Sequence, residues 1–127
     1  MTRLAYVDTS CLVALAFGEA GAAAMARRLT LADRLLSSNL LEAELEATFR
    51  REGVERDRTR LPRVDWVLPD RSLGDEIRRV LTTGYVRGAD CWHLATALFI
   101  APDPRQLQFL TLDTRQRDLA NALGFGV

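Results

Sequence analysis

The sequence predicts an α/β fold in which a parallel sheet is covered on both faces by helices. Three observations carry this. Short β-rich runs alternate with stretches of helical periodicity along the chain, the pattern of βαβ units. The first and last strong strands end alike, in Tyr6-Val7-Asp8-Thr9 and Thr111-Leu112-Asp113-Thr114, each running into a helix start. At 127 residues, 48% hydrophobic and 27% charged, the chain reads as one globular domain over residues 1–127, large enough for a core without staples.

The elements follow in order. Arg3-Leu4-Ala5-Tyr6-Val7 is a short strand, and Asp8-Thr9-Ser10 opens a helix that reaches Phe17. Gly18-Glu19-Ala20-Gly21 interrupts it, and helix resumes from Ala22 to Leu29. Arg34-Leu35-Leu36-Ser37 is a second strand, and Ser38-Asn39 starts a helix running to Glu52. Residues 53–63 are polar and Arg-rich, a helix end and loop. Trp66-Val67-Leu68 is a third strand, closed by Pro69. Helical patterns cover Ser72–Thr83 and Ala89–Ala101, with Gly84 and Gly88 between them. Pro102 and Pro104 mark a loop before the strand Gln108–Leu112, and Asp113-Thr114 begins a last helix that stops near Gly124.

Composition removes several functions. No apolar run reaches the ~18 residues of a membrane span, and the N-terminus has no signal-peptide pattern, so a cytoplasmic protein that meets no membrane is expected. Cys11 and Cys91 sit in apolar stretches and read as reduced thiols; with a single histidine, they cannot build a structural zinc site. The 17 basic residues balance 17 acidic ones, so no global positive field advertises nucleic acid. All 17 are arginine. The absence of lysine excludes Walker phosphate loops, Schiff bases and lysine-dependent phosphotransfer.

The acids are more informative. In open α/β sheets, sites lie outside the carboxyl ends of the strands. Asp8 and Asp113 stand there, each alternatively a simple N-cap. Asp90 lies in the first turn of a nearly all-apolar helix, where a buried carboxylate needs a partner. A fourth acid comes from Glu42, Glu44 or Glu46. Helical periodicity puts Glu44 inside the apolar arc of its helix, Glu42 at the edge and Glu46 toward solvent. Asn39 and Glu42 have capping-box spacing, which gives Glu42 a structural role. Glu44 is therefore preferred, with a salt bridge to an arginine as its bland alternative, and Glu42 stays open as the second candidate.

Two unit charges ~4 Å apart repel by about 4 kcal/mol at an effective dielectric near 20. Gathered carboxylates must therefore hold protons or share a cation. An all-oxygen donor set selects hard ions, Mg²⁺ or Mn²⁺, which suit phosphodiester hydrolysis. Covalent catalysis by Ser10 or Cys11 would have only His93 as a base.

Four segments, Tyr6 to Leu15, Leu40 to Leu45, Arg87 to Ala97 (Arg-Gly-Ala-Asp-Cys-Trp-His-Leu-Ala-Thr-Ala) and Leu110 to Asp113, resemble the PIN-domain family. More narrowly they resemble VapC-type toxins of type II toxin–antitoxin pairs. The resemblance implies a three-layer α/β/α sandwich with a central, mostly parallel sheet, and a Mg²⁺- or Mn²⁺-dependent endoribonuclease. It maps the family's acidic quartet onto Asp8, Glu44, Asp90 and Asp113. Asp8 and Asp90 would be the main metal ligands, Glu44 would ligate or activate water, and Asp113 would complete or orient the second position. Thr9 and Thr111 resemble the family's supporting hydroxyl residues, and His93 is expected to pack or to orient Asp90. The resemblance further implies an RNA substrate, a cognate VapB-like antitoxin and a homodimer, with exposed apolar helix faces suited to the antitoxin. The alternative is a non-catalytic PIN-like module that binds RNA or protein.

RNA must also be held beside an acidic site. Residues 50–63 carry Arg50, Arg51, Arg56, Arg58, Arg60 and Arg63 against Glu52, Glu55 and Asp57, a net positive stretch expected to contact phosphates.

Overall fold

A computed structural model describes residues 2–53 and 61–127. Four strands form one sheet: β1 (Leu4–Val7), β2 (Arg34–Ser38), β3 (Asp65–Val67) and β4 (Leu107–Leu110). Their spatial order is β3-β2-β1-β4, and every pairing is parallel. Tyr6 lies between Leu36 and Phe109, and Val7 is opposite Leu110. Among the described residues the α-helices are α1 (Thr9–Phe17), α2 (Ala22–Thr30), α3 (Asn39–Glu52), α4 (Gly74–Thr83), α5 (Gly88–Ile100) and α6 (Thr114–Leu123).

The two-residue period of β1 divides the core. Ala5 and Val7 join Cys11, Leu12, Met25, Leu41, Leu45 and Phe49 beneath α1, α2 and α3. Tyr6 points the other way, among Val80, Leu94, Leu98, Leu119 and Leu123 of α4, α5 and α6. A strand buried on both faces reads as a near-continuous apolar run, which makes β1 visible in the sequence. This is the three-layer α/β/α arrangement, with a sheet that is parallel throughout.

Boundaries differ from expectation for identifiable reasons. β4 ends at Leu110, before Thr111-Leu112, because side chains take over from the ladder. The Leu112 N–H donates to Ser10 Oγ at 2.9 Å, and the Asp113 N–H to Thr111 Oγ1 at 3.0 Å. The N-cap of α3 is Ser38, whose Oγ accepts from the Leu40 N–H, so Asn39 is already helical and does not head a capping box. Helix α4 begins at Gly74, two residues late, where the Ser72 hydroxyl accepts the Gly74 N–H at 3.3 Å. Helix α6 ends at Gly124, whose φ of 108° only glycine adopts readily.

Among the described residues, no single helix is long and apolar enough to cross a membrane; α1 with α2 passes only as a pair, bent by 118°. Cys11 and Cys91 are free and buried.

Candidate active site

The chain runs from β1 to β2 to β3 on one side of the sheet, and β4 joins β1 on the other. The carboxyl ends of β1 and β4 therefore flank a topological switch point, the crevice where open α/β sheets bind ligands. Asp8 follows β1 directly, and its N–H donates to the Leu110 carbonyl at 3.1 Å. It occupies the N-cap of α1 yet makes no side-chain cap bond. Both its oxygens are taken by hydroxyls instead: Ser10 Oγ donates to Oδ1 at 2.6 Å, and Thr111 Oγ1 to Oδ2 at 2.7 Å. Asp8 is 4% exposed. Burial pushes its carboxyl above the usual range, and the two hydroxyl donors offset part of that push.

Asp113 is exposed at the N-cap of α6, where Oδ1 accepts the Gln116 N–H at 3.0 Å. Asp90 is half-buried in the first turn of α5 and lines a cavity of about 460 Å³ with Asp113. Its carboxylate accepts no hydrogen bond among the described residues. Desolvation raises its pKa first, followed by the negative charges of Asp113 and Asp8, with Glu44 adding a smaller push. Asp113, Asp8 and Glu44 thus all act electrostatically on Asp90.

Glu44 is bound from two sides. Thr9 Oγ1 donates to Oε1 at 2.8 Å, and His93 Nε2 stands 2.8 Å from the same oxygen. Half-burial pushes the Glu44 carboxyl up, but the hydrogen bonds from His93 and Thr9 outweigh it and hold the group below its ordinary value. Its partner is a histidine, where the bland alternative expects an arginine. Glu42 is exposed and borders a separate hollow of about 320 Å³ with Glu46, Leu12 and Trp66.

Of the two roles expected of His93, the ring packs, edge-on against Tyr6, and does not orient Asp90. Its Nδ1 lies 2.6 Å from the Tyr6 hydroxyl, so both ring nitrogens are engaged, by Tyr6 and Glu44. The Tyr6 oxygen also accepts the Ser38 N–H at 3.1 Å. Its own proton then points at Nδ1, which leaves Nε2 to donate to the Glu44 carboxylate. A chain of polar groups crosses the sheet from Ser38 through Tyr6 and His93 to Glu44 and Thr9.

Gln116 is a site residue that the sequence reading misses. It is 1% exposed; its side-chain oxygen stands 3.3 Å from Thr111 Oγ1, and its amide donates to the Asp90 carbonyl at 3.4 Å. It ties the segment that carries Asp113 to the one that carries Asp90, and Thr111 extends the link to Asp8. The sequence does hold a signal for it, because Asp113 and Gln116 have capping-box spacing.

The four carboxylates gather at one end of the sheet without closing on one another. Among the described residues, no three His, Cys, Asp or Glu side chains form a group that could hold a metal ion. The cause is local: hydroxyls hold Asp8, the helix start holds Asp113, and His93 holds Glu44.

A protein-family comparison decides what this arrangement belongs to: the PIN domain model matches residues 5–122. The chain is a member of the PIN domain family. No curated protein and no solved structure gives a significant match. PIN domains are generally metal-dependent nucleases, and the matched segment contains all four acids and the switch point.

The chemistry of the donor set fits such a metal. The side chains are carboxylates, the oxygen donors of hard cations, and at Asp90 burial and the like charges of Asp113 and Asp8 outweigh the opposing influence of His93. Mg²⁺ keeps several waters and is bound by one or two carboxylates, so a closed cage of three protein ligands is not required. Of the arginine-rich stretch, Arg56, Arg58 and Arg60 lie outside the described residues. Arg51 pairs with Glu52 at 3.1 Å, and Arg63 with Asp65 at 3.5 Å.

Proposed function

We propose that this PIN domain is a Mg²⁺- or Mn²⁺-dependent endoribonuclease of the VapC type, the toxin of a toxin–antitoxin pair. The supporting observation is that Asp90 shares a cavity with Asp113 and that burial and the charges of Asp113 and Asp8 push its carboxyl above the ordinary range. Asp8 and Asp90 would hold the metal, with Asp113 and Glu44 at its margin. When bound, the cation would supply charge neutralisation at a phosphodiester and an activated water.

The protein's own groups do the positioning. Ser10 and Thr111 fix the Asp8 carboxylate in one orientation, with both hydroxyl protons directed at it. Gln116 and the cap at Asp113 hold the neighbouring strand end against α5. The Tyr6–His93 pair keeps Glu44 ionised and aimed along the α1 N-terminus, where its second oxygen can accept a proton from water.

The toxin assignment adds an RNA substrate, a homodimer and a VapB-like antitoxin. The hollow lined by Leu12, Leu45 and Trp66, to which Glu42 adds a carboxylate, suits an antitoxin segment that is apolar and carries a basic group.

The test is RNA cleavage with Mg²⁺ or Mn²⁺, with EDTA, and with Asp8→Asn and Asp90→Asn. Cleavage should require the metal and fall at least a hundredfold in each variant. Cleavage that survives both substitutions ends the assignment to this site. RNA binding with no cleavage in either metal favours the non-catalytic module.

A further inference from the structure

The cavity that Asp90 and Asp113 share has a basic and aromatic rim for which the acidic chemistry has no use. Tyr85, Arg87 and Arg115 line it alongside the two acids and Val86. Tyr85 is 69% exposed, the most exposed large hydrophobic residue among those described. It is held in place nonetheless, because the Arg115 guanidinium carbon stands over its ring at 5.8 Å. One face of the ring is thereby covered and the rest is open to solvent. Arg87 and Arg115 are both exposed, and neither makes an ion pair among the described residues, although two carboxylates border the same cavity.

Tyr85 also stands on a ridge. On its other side lies an apolar hollow of about 320 Å³ lined by Ile77, Leu81 and Trp92. An unpaired base laid against Tyr85 would rest in an apolar recess, while its own phosphate lay over the two arginines and the acids. A base inside a duplex has both faces occupied and cannot do this.

We propose that Tyr85, with Arg87 and Arg115, forms a substrate-holding platform beside the acids, Tyr85 stacking one unpaired base while the arginines take the adjoining phosphates. This rests on the ribonuclease reading and adds to it the residues that would hold the substrate. Base–aromatic stacking tolerates any sequence and is open only to a base whose face is unoccupied. The arginines supply the salt-dependent part of the affinity.

The test is fluorescence anisotropy in EDTA with a labelled oligoribonucleotide, single-stranded and annealed to its complement, so that binding is read apart from cleavage. Tyr85→Ala should weaken single-strand binding about tenfold or more and leave the salt slope unchanged. Tyr85→Trp should restore it. Arg87→Gln with Arg115→Gln should flatten the log–log salt dependence by about 0.7 for each phosphate that is no longer neutralised. The duplex should bind more weakly than the single strand and be insensitive to Tyr85→Ala. Unchanged single-strand affinity in Tyr85→Ala, equal affinity for duplex, or no single-strand binding by the unsubstituted protein overturns the proposal. Binding through Tyr85 without cleavage in any metal would remove the nuclease reading and leave the platform. Metal-dependent cleavage with unaltered binding in Tyr85→Ala would do the reverse.

Discussion

Thr111 Oγ1 donates a 2.7 Å hydrogen bond to Oδ2 of Asp8, joining the ends of the first and last strands through two side chains 103 residues apart. The same oxygen accepts the Asp113 N–H at 3.0 Å. Thr111→Val keeps the shape but removes both bonds inside a buried site. It should lower stability by about 1–3 kcal/mol, read from the urea midpoint at constant slope. Thr111→Ser should recover most of the loss. An unchanged midpoint in Thr111→Val would show that this bond does not hold the strand ends together.

Tyr6 makes a comparable prediction on the other face of β1. Tyr6→Phe leaves the Ser38 N–H without its acceptor and His93 Nδ1 without its donor, both buried. The expected cost is about 1–3 kcal/mol. Nitrogen-15 spectra of the His93 ring should show Nε2 protonated and Nδ1 bare in the unsubstituted protein. A protonated Nδ1 in the neutral ring would reverse this proton order.

The pH dependence follows from the directions of the shifts. The folded-state pKa values of Asp8 and Asp90 are raised, chiefly by desolvation. As pH climbs from the ordinary aspartate range near 4, the unfolded chain loses these protons first. Over that window the native state binds more protons, so stability of the metal-free protein falls with rising pH and stays lower above the folded values. Glu44 acts oppositely: its contribution is present at neutral pH and lost as pH drops through its depressed folded value. Metal-free stability should therefore peak in weakly acid solution. Asp90→Asn should flatten the neutral-side decline and raise the neutral melting temperature by a few degrees. A decline of the same size in Asp90→Asn would contradict the assignment of charge strain to that residue.

Divalent metal should reverse the same strain. A ligand that binds only the native state stabilises it by about 2.7 kcal/mol at a hundred times its dissociation constant. Calorimetry with added Mn²⁺ should show a rise in melting temperature that is lost in Asp90→Asn. Equal shifts in both proteins would place the metal elsewhere.

Much of this fold is legible in the sequence because β1 and β4 are apolar strands that lead to aspartates, and α5 is apolar almost all round. The parallel order follows from helices between the strands. Glu44 emerges from helical periodicity, since its arc is the one that meets α1. The roles of Tyr6 and Gln116 are hidden for a common reason. Tyr6 is an ordinary strand residue and Gln116 an ordinary polar one, and only the packed sheet brings their polar atoms to His93, Thr111 and Asp90. His93 misleads because helical spacing places it one turn from Asp90, whereas its ring reaches across the layer to β1 and α3.

The position of β1 between β2 and β4 has a consequence for synthesis. Of the described strands the first to be synthesised is central, and one of its edges waits for Leu107–Leu110. Until Leu107–Gln116 has emerged, Asp8 lacks Thr111, and the segments bearing Asp90 and Asp113 lack Gln116. A nascent chain therefore cannot assemble the acidic end of its sheet while still being translated through that region, and a chain cut before β4 lacks the contacts that Thr111 and Gln116 make there.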